Sequence, residues 1–333
     1  MERTGGACPF YRARQAAQNS HLLIVNHALL LSDVATGSKV LPEYDYLIID
    51  EAHHIEAATT SALSYRATQS DLIRMLREIG GTSAGILSRL LHQMQELLRP
   101  SDRAAFHQQI DRATDLLFRL EHGYQGFFRT IEDFLAECRD GRPVGAYGQQ
   151  ERILDSSRTL PSWTEVEIAW DTVHEAATLL LNLLAEVYKY CGDMREEADE
   201  GLQDALENLS SAYRRLAEAD TSLHGFVAQP QEGMIYWAEI SPNSNHISLQ
   251  IAPLNVGPLM EQFIWHEKTS VILTSATLTA NEGFDYIRNR LNADEADELQ
   301  LGSPFDYETS ALLFLANDIP EPADANGYQR GVE

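Results

Sequence analysis

Hydrophobic positions along this 333-residue chain change their period twice. Residues 21–31 (HLLIVNHALLL) and 46–49 (YLII) are nearly unbroken apolar runs. Runs of that kind mark buried strands of a parallel sheet covered on both faces, where no polar alternation survives. The first run is expected to be a strand leading into a short helix, with Asn26 and His27 where the strand stops. The second is expected to end at Asp50. Helical patterns in CPFYRARQAA and EAHHIEAATTSAL alternate with them, so residues 1–60 read as α/β.

From 61 to 228 the period becomes helical. Apolar residues recur every three to four positions in SDLIRMLREIG, AGILSRLLHQMQELL, DRATDLLFRLEHGYQGFFRTIEDFLAEC, WDTVHEAATLLLNLLAEVYKYCGDM and LQDALENLSSAYRRLAEA. One stretch interrupts them: the glycines and prolines of 139–163 predict a surface loop or hairpin tip. After 228 the strand signal returns. MIYWAEI and HISLQIAPL, separated by SPNSN, predict an antiparallel pair. SVILTSATL predicts a further buried strand, FDYIRNRLN a helix, and ALLFLA (311–316) one more buried strand. The order is therefore α/β, all-α, α/β, a sheet domain interrupted by a helical insertion. Its segments are 1–60, 61–228, 229–302, and 303–333 as a linker with the first strand of another sheet.

Composition narrows the classes. An apolar fraction of 44% is ample for one large core or several small ones. No apolar run is long enough to span a bilayer and no leader pattern opens the chain, which leads to the expectation of a soluble, cytoplasmic protein without membrane partners. Cys8, Cys138 and Cys191 are odd in number and widely spaced, which is no disulfide framework. The net charge of -25 opposes wholesale coating of nucleic acid, although the acid is clustered, notably in 193–209 and 293–299.

The candidate chemistry sits at strand ends, where ligands gather on parallel sheets. Asp50 and Glu51 follow YLII directly. One carboxylate there can hold a magnesium ion through water while its neighbour orients and deprotonates an attacking water. An acidic pair can also simply cap the next helix, but D-E-A-H closing an apolar strand favours the chemical reading. TSAT after VIL could be no more than small hydroxyls bonding local backbone. Its partnership with the acidic pair raises it above that.

IIDEAHH resembles the second motif of superfamily 2 helicases. Together CPFYRARQAA, LLIVNHALLL, LPEYDYLIIDEAHH and VILTSATL are similar to the DinG/XPD branch of DNA helicases, across nearly the whole chain and least across its helical middle. The resemblance implies an incomplete RecA-like parallel-sheet domain with a large, mostly helical arch inserted between the second and third motifs. It implies ATP and Mg as cofactors, movement 5' to 3', and single-stranded or forked DNA as partner. Carried over by position, Asp50 would coordinate magnesium, Glu51 would activate water, and His53 would join the network between nucleotide and second domain. Ser275, Ala276 and Thr277 would couple hydrolysis to movement.

Two features depart from the family pattern. G-x-x-x-x-G-K-[ST] does not occur, and the only lysines, Lys39, Lys189 and Lys268, do not follow glycine. The chain therefore reads as an internal segment of a helicase, inactive or nearly so alone. Members with a 4Fe-4S cluster hold it on four cysteines. Cys8 precedes the matching helix as either an orphan ligand or an ordinary cysteine, and no cluster is expected in this chain. For DNA, Arg103, Arg112, Arg119 and Arg129, with Arg139 and Arg142, are the candidate contacts, and Tyr124, Phe127 and Phe128 the candidate stacking partners. Against this stands helix packing, with Phe118, Phe127 and Phe134 in the core. A non-catalytic helical interaction module with a relic DEAH strand is the alternative for the whole chain.

Overall fold

The computed structural model describes residues 9–35, 40–194, 200–242, 246–280 and 283–310, with 312, 313, 315, 321 and 323–332 beyond them. The chain divides into two compact units, Met1–Asp294 and Glu295–Glu333. The first is α/β in class and holds two hydrophobic cores.

The smaller core surrounds a two-stranded parallel sheet, β1 (Tyr46–Ile49) beside β6 (Ser270–Leu273). Ile49, Ala52 and Ile55 meet Leu30, Leu31 and Val34 of α2 (His27–Ala35), Met260 of α10 (Gly257–Met260), and Ile287 and Leu291 of α11 (Asp285–Leu291). Glu56 of α3 (Ile55–Ala62) accepts from Arg290 Nε at 2.7 Å, tying α3 to α11 across 234 residues of sequence. Only one face of this sheet is covered. Leu47 and Ile49 turn inward, while Tyr46, Ile48 and Ile272 are 73%, 67% and 53% exposed, so the expectation of two covered faces does not hold. The strand expected in HLLIVN is also absent. Leu22 and Ile24 are 79% and 91% exposed and have no neighbouring strand among the described residues; without ladder partners an apolar run stays irregular.

The larger core fills the insertion. α6 (Pro100–Cys138) and α8 (Pro161–Gly192) each begin with proline at their first position, where the missing N–H costs nothing. They run antiparallel, as successive ring contacts show: Phe106 with Tyr190, Phe127 with Trp170 at 5.3 Å, and Phe134 with Trp163 at 5.0 Å. α4 (Gln69–Ile79), α5 (Gly85–Leu97) and α9 (Glu200–Val227) pack around this pair. Each large ring buried here contributes roughly 2–3 kcal/mol.

A four-stranded antiparallel sheet completes the insertion in the order β2 (Tyr65–Thr68), β5 (Ile247–Pro253), β4 (Met234–Ile240), β3 (Gln149–Arg152). β4 and β5 are the expected hairpin. β2 and β3 were not foreseen, the second lying inside the stretch read as loop. Tyr236, Ala238, Ile240, Leu249 and Ile251 belong to the helical core. The hairpin expected with the returning α/β part therefore packs on the insertion instead, because its inward face meets helices and not the parallel strands.

In the second unit, α12 (Tyr307–Ser310) and α13 (Ala325–Val332) are helical. The strand expected in ALLFLA does not form at its described residues: Leu312, Leu313 and Leu315 are 96%, 80% and 69% exposed and pair with no strand among the described residues. No helix among the described residues is long and apolar enough to cross a membrane.

Candidate functional site

The acidic pair stands where the buried strand β1 surfaces. Ile49 is 1% exposed, and the ladder continues one step past it, with Thr274 N donating to Ile49 O at 2.9 Å and Ala52 N to Thr274 O at 3.0 Å. Between these anchors the backbone turns sharply. Glu51 adopts the left-handed region, φ 49° and ψ 42°. For a residue with a Cβ this costs of the order of 1–3 kcal/mol and persists only where the surroundings impose it. Here they do: Glu51 N donates to Asp50 Oδ1 at 3.0 Å, and the Asp50 carbonyl meets His27 Nε2 at 2.9 Å. His27, which sequence reading noted only as a strand end, is thus part of the site.

The turn brings the two motifs together. His53 Nδ1 lies 2.7 Å from Ser275 Oγ and 3.3 Å from Glu51 Oε2. Ser275 Oγ also donates weakly to Glu51 Oε2 at 3.5 Å and accepts from Thr277 N at 3.2 Å. The serine has one hydrogen; when it goes to Glu51, His53 must carry its own on Nδ1. Ser275 of TSAT therefore makes both a local backbone bond and a bond to the DEAH turn. Ala276 lies exposed between them. Glu51 is 62% exposed at its side chain, open to solvent and any ligand.

This donor set suits a small hard cation. Asp50 and Glu51 offer carboxylate oxygens at one strand end, the few protein ligands magnesium takes when phosphates and water supply the rest. Softer metals have less to use. Among the described residues no three His, Cys, Asp or Glu side chains cluster as a metal cage. Cys8 lies outside the described residues. Cys138 and Cys191 sit at opposite ends of the α6–α8 pair, on the order of 45 Å apart by helical rise. Burial pushes their thiols up, to about 11 and about 12, away from the thiolate a metal needs.

The arginine candidates scatter. Arg103 Nε donates to Leu98 O at 3.0 Å and fastens the end of α5. Arg139 donates to Arg142 O and Gln149 Oε1, holding its loop, and Arg142 pairs with Asp140 at 3.3 Å. Arg112 and Arg119, seven residues apart, share one exposed side of α6, while Arg129 borders a cavity of about 350 Å³ with Gln69, Gln125 and His246. The stacking partners proposed for them are core residues: Tyr124 and Phe127 are fully buried and Phe128 is 3% exposed. Of the aromatics on that helix it is Phe118, 65% exposed, that faces solvent.

One parallel strand thus presents Asp50 and Glu51 at its end and the other presents Ser275. Residues 1–72 match the DEAD_2 family model. Over 329 residues, 95% of this chain and 44% of the relative, the sequence is 26% identical to the ATP-dependent DNA helicase DinG of Photobacterium profundum. It is 27% identical over 331 residues to the 3'-5' exonuclease DinG of Bacillus subtilis, covering 95% of the chain and 34% of that protein. It is likewise 27% identical over 328 residues to the ATP-dependent DNA helicase YoaA of Escherichia coli, covering 95% and 43%. The chain is similar in sequence to these three proteins, and it spans less than half the length of each.

Proposed function

We propose that this chain supplies the magnesium-holding and water-activating part of the ATP site, together with the helical arch, of an ATP-dependent DNA helicase moving 5' to 3' on single strands. The observation that carries this reading is the meeting of Glu51, His53 and Ser275, drawn from motifs more than 220 residues apart. Magnesium, when bound with ATP, would neutralise charge on the phosphates, and Asp50 would hold it. Glu51 would accept a proton from the attacking water. His53 and Ser275 hold that carboxylate in place, and the strained Glu51 backbone keeps it aimed outward from the strand end.

The sequence contains no G-x-x-x-x-G-K-[ST] loop, whose amides and lysine cradle the phosphates in such sites. The chain alone is therefore expected to hydrolyse ATP at close to background rate, with little response to single-stranded DNA. Turnover of the purified chain with and without oligonucleotide tests this. Vigorous DNA-stimulated hydrolysis, lost on Glu51→Gln, would show that the phosphate cradle is dispensable and overturn the account.

A further inference from the structure

The outer face of the four-stranded sheet carries a row of side chains that α6 does not offer. Strand register sets Arg66 opposite Gln250, Gln250 opposite Trp237, and Trp237 opposite Arg152, so the four stand side by side across β2, β5, β4 and β3. Tyr236 and Ala238 flank Trp237 and point into the helical core, 5% and 0% exposed. Alternation therefore turns Trp237 outward. The indole is partly exposed and packs with neither hydrophobic core.

Both arginines are exposed, and neither guanidinium is held by a hydrogen bond or ion pair among the described residues. Glu239 is occupied by Gln250 Nε2 at 2.6 Å, while Asp155 and Glu232 line a cavity with Arg152 without an ion pair to it. Three strand spacings separate the arginines, about 14 Å, with the indole between them. An aromatic platform flanked by free guanidinium groups matches a single strand, whose bases are unstacked and whose phosphates run alongside. It does not match a duplex, whose base faces are closed.

We propose that this sheet face binds single-stranded DNA, one base stacking on Trp237 while Arg66 and Arg152 hold phosphates on either side. The proposal rests on the DNA-helicase reading and gives the strand a seat on the insertion. Anisotropy of a labelled oligo-dT titrated with the full chain, from low to moderate salt, tests it. Trp237→Ala is expected to weaken binding about 5- to 100-fold and Trp237→Phe to retain most of it. Joint Arg66→Ala and Arg152→Ala replacement should flatten the log–log salt dependence by about 1.4. Circular dichroism melting checks that each variant is folded. Wild-type affinity in these variants, with loss in Arg112→Ala/Arg119→Ala, overturns the sheet platform and keeps the DNA reading. No binding to any single strand at low salt overturns both.

Discussion

His53 and Ser275 lie 222 residues apart in sequence and 2.7 Å apart in space. That bond closes the circuit between the turn that follows β1 and the turn that follows β6, and it crosses the whole helical insertion. It also shares its serine with Glu51. A double-mutant cycle over His53→Ala and Ser275→Ala, read by urea denaturation, should show non-additivity of about 0.5–1.5 kcal/mol. Strict additivity would mean that the two side chains do not meet in solution.

Arg158 pins the insertion together. Its Nη1 donates to Val227 O at 2.6 Å, and its guanidinium lies 5.4 Å from the Trp163 ring centroid and 5.5 Å from that of Tyr236. Desolvation lowers the guanidinium pKa, with Tyr236 and Asp155 partly opposing it. Replacement by alanine leaves a carbonyl unpaired and removes two ring contacts, a loss of roughly 2–3 kcal/mol in chemical denaturation. Lysine should rescue little, since it lacks the planar fork that lies between the rings.

Tyr124 behaves in the opposite sense. Its ring is fully buried and its hydroxyl has no hydrogen-bond partner among the described residues; burial, then Tyr65 and Asp220, push its pKa up. Removing an unsatisfied buried group at constant shape is neutral or favourable. Tyr124→Phe should leave the melting temperature unchanged or raise it, and a marked drop would reveal a partner for that oxygen.

Cys191 is fully buried with its thiol pushed up to about 12 from 9. A raised folded pKa contributes stability that is complete below the unfolded value and is lost as pH climbs from about 9 toward the folded value. Stability should therefore fall between pH 9 and 12, and Cys191→Ala should lessen that fall. Mass-spectrometric mapping of iodoacetamide labelling gives a second check: below pH 9, modification of Cys191 should track global unfolding.

Much of this was legible in the sequence because certain segments carry one signal only. The long helices declare themselves through roughly eight to eleven turns of apolar spacing, and YLIIDEAHH and VILTSAT through apolar runs that end in acidic and hydroxyl residues. Short polar edge strands do not. YRAT and QQER, four residues each, have no period to detect and exist because β5 and β4 offer ladder partners. HLLIVN errs the other way, its apolar run lacking a partner. The left-handed turn at Glu51 and the row Arg66, Gln250, Trp237 and Arg152 depend on pairing register, which local pattern does not encode.

The central claim is that Glu51 accepts the proton of the water that attacks ATP. The most direct measurement is DNA-stimulated ATP turnover, wild type against Glu51→Gln, in a polypeptide that joins this chain to a phosphate-binding loop. The account predicts a loss of about 10²- to 10⁴-fold in kcat with nucleotide affinity retained. Turnover equal to wild type would contradict it.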